Sequence, residues 1–144
     1  MVHYDSVSKN YDVSRRAGAR TVAQLVELLE PLANTDVLDI GCGTGNFLVE
    51  LGGIARQVVG LDSSAGMLRE ARSKHSTAPL VQGDALLMPF SQKAFDAAYC
   101  IQVLHHVSDK AKFMLEVHRV LKARARFVIQ TCSHEQLATF WESH

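Results

Sequence analysis

The chain has 144 residues, of which 47% are hydrophobic and 21% charged, the balance of one folded domain rather than a disordered chain. Its 15 lysines and arginines are matched by 15 aspartates and glutamates. Zero net charge supplies neither the basic excess of a dedicated nucleic-acid binder nor an attraction to anionic membranes. The polar N-terminus MVHYDSVSKNYD has no apolar core of the kind a signal peptide carries, and no apolar run approaches membrane-spanning length. Cys42, Cys100 and Cys132 are odd in number and widely spaced, so they suggest neither a disulfide framework nor a paired metal site. A reducing cytoplasm is the expected compartment.

Residues from about Val2 to Arg16 are polar, carry Tyr4 and Tyr11, and show little periodicity. A helix is expected from about Arg20 to Leu29, with Val22, Leu25, Val26, Leu28 and Leu29 as its apolar stripe, closed by Pro31. Asp36 to Ile40 is a short apolar run before glycines and reads as a buried strand. Asn46 to about Ile54 reads as helix, and Gln57 to Leu61 as a second strand ending at Asp62. Ser63 and Ser64 can cap a helix running to about Lys74, with Met67, Leu68 and Ala71 inward. Leu80 to Gln82 is a third strand, Phe95 to Ile101 a fourth, Asp109 to Leu121 a long helix and Arg126 to Thr131 a fifth strand. Glu135 to Trp141 is a candidate last helix.

Strands alternating with helices imply an α/β fold with a mostly parallel sheet covered on both faces. Ligands in such sheets bind beyond the carboxyl ends of the strands. Asp39, Asp62 and Asp84 fall at or near such ends, so all three carboxylates are expected on one rim.

Gly41-Cys42-Gly43-Thr44-Gly45 follows the first strand. Glycines there allow a sharp turn and a close approach of ligand to main chain. The dinucleotide fingerprint places its third glycine one residue later, where this chain has Asn46. Asp62 at the end of the second strand either accepts ribose hydroxyls or caps the following helix. Asp84 and the Ala85 N–H either read the edge of an adenine or close a loop. Cys42 reads as a small buried residue, having no paired base.

Together VLDIGCGTG (37–45), VVGLDSSAGML (58–68), GDALLMPF (83–90), FDAAYCIQVLHHV (95–107) and EVHRVL (116–121) occur in order. This set resembles the class I S-adenosylmethionine-dependent methyltransferases, in their small-molecule branch, over about residues 1 to 133. The resemblance implies a Rossmann-like doubly wound sheet of order 3-2-1-4-5 and one domain over 1–144, with a lid segment at 1–18 and a cofactor-binding core at 36–131. Gly41 and Gly43 then pass beneath the methionine part of the donor, Asp39 helps hold its amino group, and Asp62 takes the ribose. Met67 packs on the adenine, Asp84 and Ala85 read its edge, and the main chain at Cys100 and Ile101 lines the methionine. Cys42 and Ser63 complete the implied cofactor set. The expected cofactor is S-adenosylmethionine, the expected acceptor a small molecule, and no metal, nucleic acid or membrane is implied.

In-line transfer of a methyl group depends mainly on positioning. An acceptor O–H or N–H must still lose a proton, for which His105, His106 and, in the lid, Tyr11 are the candidates. His118 falls within a helix and reads as a surface or packing residue.

Two departures from the family stand out. Its Lys-Pro-Gly-Gly turn is replaced by Lys122-Ala123-Arg124-Ala125-Arg126, which predicts a helix end that is looser or extended by a residue or two. The chain also ends soon after the fifth strand, so the usual sixth and seventh strands are expected to be missing, as in a C-terminally truncated member. The fifth strand would then be an edge able to pair with a second copy. A non-catalytic cofactor-binding or assembly module is therefore the alternative function, and a nicotinamide-dependent oxidoreductase a third, disfavoured by Asn46.

Overall fold

β1 (Asp36–Ile40) is buried almost throughout, with Val37, Leu38, Asp39 and Ile40 at 2% exposure or less. A strand reads as one continuous run only when both faces of its sheet are covered. In the computed structural model, which describes residues 18–74 and 77–131, this is so. β1 pairs in parallel with β2 (Gln57–Asp62) on one side and β4 (Phe95–Ile101) on the other. β3 (Leu80–Gln82) flanks β2, and β5 (Leu121–Gln130) flanks β4. The described sheet therefore has the order β3-β2-β1-β4-β5, all parallel.

Alternation along each strand sends successive side chains to opposite faces. Leu38, Ile40, Val59, Leu61, Ala98 and Cys100 pack with Phe113, Val117 and Val120 of α4 (Lys110–Val120). Val37, Val58, Ala97 and Tyr99 pack on the other face with Leu25 and Leu29 of α1 (residues 18–29) and with Leu48 and Leu51 of α2 (Leu48–Gly52). Leu68 of α3 (Ala65–Lys74) joins this second group. Order reverses between β1 and β4, which opens a crevice beyond their carboxyl ends.

Several sequence expectations are corrected. In α1 the inward stripe runs through Thr21, Leu25 and Leu29, while Leu28 is 52% exposed. α2 starts at Leu48 rather than Asn46, because Gly43 and Gly45 hold left-handed backbone up to that point, and it stops within the Gly52-Gly53 pair. In α3 only Ala71 is buried, and Met67 is 46% exposed. α4 is not extended. Its last carbonyls, Arg119 O and Val120 O, accept from Lys93 N–H and Ala94 N–H, both at 2.8 Å. The turn before β4 thus satisfies the helix end without a glycine cap. Leu121 is already extended and pairs with Phe95. Register resumes at Ala97 with Arg126, so residues 122–125 form a bulge opposite Asp96, with Arg124 at φ 65°.

α4 begins on Asp109, whose side chain accepts from Lys112 N–H at 3.0 Å. It also holds the loop after β3. Arg119 donates to Phe90 O at 2.7 Å and Met88 O at 2.9 Å, and Glu116 accepts from Met88 N–H at 2.7 Å. Among the described residues no helix is long and apolar enough to cross a membrane. The segment with Tyr4 and Tyr11, Cys132 and the candidate helix at 135–141 lie outside the described residues.

Candidate functional site

The turn from β1 to α2 depends on glycine for two different reasons. Gly41 has φ +72°, and a Cβ there would lie 2.4 Å from Val103 Cγ2. Gly43 has φ +56°, but a Cβ there would meet nothing within 4 Å. Gly41 is needed for packing, whereas Gly43 presents bare main chain to open space. The turn is anchored by Gly41 N–H and Cys42 N–H, which donate to Leu61 O at 2.7 and 2.9 Å.

Asp62 ends β2 and fastens two loops. Its Oδ2 accepts from Gly43 N–H at 2.9 Å and its Oδ1 from Ser64 N–H at 2.8 Å. Ser64 Oγ in turn accepts from Met67 N–H at 3.2 Å, capping α3. Each carboxylate oxygen still has a second lone pair for an incoming hydroxyl. Ser64 rather than Asp62 therefore caps α3, and the two Asp62 bonds leave room for a ligand contact.

A cleft of about 500 Å³ opens along this rim. Of the sequence candidates, Gly41, Asp62, Ser63, Asp84, Ala85 and Ile101 line it, and so does His106. Asp84 Oδ1 accepts from Leu86 N–H at 2.8 Å, closing the loop after β3, while its other oxygen accepts nothing from the described residues. Met67, Gly43, Cys42, Cys100, Asp39 and His105 do not line the cleft. Cys42 and Cys100 have buried side chains, and burial pushes both thiols up to about 12, so neither is a thiolate near neutrality. The sequence reading missed Gln102 and Val103, which line the cleft just beyond β4. Their signal was position alone: they follow Ile101 directly, at the same strand end.

Asp39 corrects the expectation of three carboxylates on one rim. It is 2% exposed and lies inside the sheet, where its Oδ2 accepts from the Tyr99 hydroxyl at 2.8 Å. Tyr99 is its direct partner across the β1–β4 ladder and is itself fully buried, with its ring edge-on to Phe47. Burial raises the Asp39 carboxyl from 3.8 to about 7, against the lowering effect of the Tyr99 bond, and the nearby Asp62 charge adds to the rise. Tyr99 was absent from the sequence candidates, because a tyrosine in an apolar strand looks like any core aromatic.

His105 and His106 sit on a 3₁₀ turn, Leu104–His106, after β4. Both are exposed, and their ring centroids lie 3.9 Å apart with the planes tilted by 47°. Only His106 of the two faces the cleft. His118 is exposed on α4, as expected. Tyr11 lies outside the described residues. Among the described residues no group of three or more His, Cys, Asp or Glu side chains could hold a metal ion.

Residues 38–129 match a family described as methyltransferase domain. The demethylmenaquinone methyltransferase of Corynebacterium kroppenstedtii is 35% identical over 131 residues, covering 88% of this chain and 56% of that protein. The malonyl-(acyl-carrier protein) O-methyltransferase of Legionella pneumophila is 32% identical over 149 aligned positions, covering 98% of this chain and 52% of that protein. Among solved structures, phosphoethanolamine N-methyltransferase 1 of Haemonchus contortus, in complex with phosphoethanolamine and S-adenosylhomocysteine, superposes with a TM-score of 0.73 at 25% identity. That match covers 83% of this chain and 27% of that one. The chain spans about half the length of the two curated relatives.

Proposed function

The chain belongs to the methyltransferase-domain family, and we propose that it binds S-adenosylmethionine in the rim cleft and serves methyl transfer to a small-molecule acceptor. The carrying observation is the convergence of the Gly41 turn, Asp62 and the Asp84-Ala85 loop on one crevice at the carboxyl ends of β1, β2 and β3.

The residues fit such a donor. Gly41 brings main chain without a side chain to the cleft wall, and the Gly43 N–H holds Asp62 in place there. Asp62 is prefixed by two N–H donors, so its orientation is set before a hydroxyl reaches it. The unengaged oxygen of Asp84 and the Ala85 N–H present an acceptor and a donor side by side, suited to an adenine edge. When bound, the donor supplies an activated methyl group on a cationic sulfonium. Asp62 and Asp84, with Asp39 behind them, give the cleft an acidic character that favours a cation.

His106 is the better candidate proton acceptor because it faces the cleft, and the His105 ring lies tilted beside it. Tyr11 is proposed as a second candidate from the resemblance alone. The two curated relatives carry quite different acceptors in their names, a quinone precursor and a carrier-linked malonyl group. The shared part is the donor end.

Calorimetric titration with S-adenosylhomocysteine tests the reading. The chain is expected to bind it saturably, and Asp62→Ala to weaken binding at least about tenfold, the worth of one charge-assisted hydrogen bond. No saturable binding, or an unchanged affinity in a folded Asp62→Ala variant, would overturn it.

A further inference from the structure

A second cleft, of about 480 Å³, opens at the opposite end of the sheet, where α4 ends and β4 and β5 begin. Lys93, His118, Arg119, Lys122 and Arg124 line it, and no carboxylate does. Arg119 is bound to Glu116 and to two loop carbonyls, and Lys122 to Asp96 at 2.9 Å. Lys93, His118 and Arg124 form no ion pair among the described residues. Three basic side chains without an ion pair among the described residues thus converge, His118 from α4 and Lys93 and Arg124 from two separate turns.

Ordinary helix electrostatics accounts for part of this. Cations in the last turn of α4 complement its carbonyl end, which covers His118 and Arg119. It does not cover Lys93 and Arg124. Both hold left-handed backbone, at φ 54° and 65°. Left-handed backbone disfavours side chains with a Cβ, and glycine or asparagine is the usual occupant. Two long cations therefore stand at strained positions without an ion-pair partner within the described chain. Strain of this kind is retained where the side chain has an external task.

We propose that this cleft binds a phosphate-bearing small molecule, independently of the donor cleft. The arginine fork suits two phosphate oxygens, and the lysine supplies a mobile point charge. Ala123 and Ala125 flank Arg124 with small side chains and leave the cleft open. Its size is close to that of the rim cleft, enough for a ligand larger than a bare phosphate.

Calorimetric titration with inorganic pyrophosphate, at ionic strength held constant with sodium chloride, tests the proposal. The unmodified chain is expected to saturate with a dissociation constant below about 1 mM. The double variant Lys93→Gly, Arg124→Gly removes both charges and relaxes both backbones, so its melting temperature should not fall while affinity drops at least about tenfold. A Lys93→Asn, Arg124→Asn pair, also compatible with left-handed backbone, should lose binding alike. S-adenosylhomocysteine binding should be kept in both variants, and Asp62→Ala should leave pyrophosphate binding intact. Absence of saturable pyrophosphate binding, or affinity unchanged in either double variant, would refute the site.

Discussion

Asp39→Asn is expected to stabilise the protein at alkaline pH and to do little in mild acid. The carboxyl is 2% exposed and receives its one described side-chain hydrogen bond from Tyr99. Burial raises its pKa from 3.8 to about 7, a rise of about 3 units. At 1.36 kcal/mol per unit, keeping it ionised costs the native state up to about 4 kcal/mol. The folded chain holds this proton more tightly than the unfolded one. The native state therefore binds more protons between about pH 4 and pH 7, and stability falls as pH rises through that window. Above it the loss is complete, and below it both states are protonated and the penalty is absent. Asparagine is neutral throughout, has nearly the same shape, and its carbonyl can still accept from Tyr99.

Urea unfolding of both proteins at about pH 4 and about pH 8 reads this directly. The advantage of Asp39→Asn should be near zero at the lower pH and reach up to about 4 kcal/mol at the higher. Tyr99→Phe removes the interaction that holds the carboxyl down, so it should shift the pH-dependent window upward. A stability difference between Asp39→Asn and the unmodified chain that is flat across pH would refute the reasoning. On the proposed function, the same substitution also removes a negative charge behind a cleft suited to a cation. At about pH 8 it should weaken binding of the sulfonium-bearing S-adenosylmethionine more than that of the uncharged thioether S-adenosylhomocysteine, while the fold becomes more stable.

The two glycines should separate packing from backbone strain. Gly41→Ala meets both left-handed strain and the Val103 side chain, so urea unfolding should show a loss above the roughly 1–2 kcal/mol of strain alone, partly restored by Val103→Ala. Gly43→Ala meets open space, so it should lose only about 1–2 kcal/mol of stability, unaffected by Val103→Ala. Phe113→Ala empties a fully buried position under the sheet and should cost about 3–5 kcal/mol in the same unfolding assay. Glu116→Ala frees the Met88 amide, whose hydrogen exchange should quicken, and loosens the loop that carries Asp84.

The strands were legible because a parallel sheet covered on both faces demands continuous apolar runs, and Asp36 to Ile40 or Phe95 to Ile101 has no other comfortable fate. Their order followed from the motif resemblance, since alternation alone fixes a parallel sheet but not its permutation. What escaped the sequence was tertiary in origin. The α4 end was misjudged because its carbonyls are satisfied by Lys93 and Ala94, distant partners that no local cap rule anticipates. Met67 was placed inward on helical spacing, yet α3 packs through Ala71 and part of Leu68. Asp62 and Asp84 were found as rim acids because they follow strand ends. Asp39 instead precedes Ile40, still inside the strand, where a partner tyrosine on β4, three strands later in the sequence, makes its burial tolerable.

The balanced charge of the chain conceals a separation along the sheet. At the carboxyl ends of the strands lie Asp62 and Asp84 with Asp39 beneath, and the cleft there contains no lysine or arginine among its lining residues. At the amino ends of β4 and β5 the lining carries Lys93, Arg119, Lys122 and Arg124 and no carboxylate. A sum of zero therefore does not describe either surface that a ligand meets, and it carries less weight against charged partners than the composition suggested. Fields act locally, because screening limits exposed charges to about 8–10 Å at physiological ionic strength. Each cleft is governed by its own few residues. The acidic end suits a sulfonium-bearing donor, and the basic end suits a phosphate. Because the two clefts sit at opposite strand ends, charge changes at one should leave affinity at the other nearly unaltered.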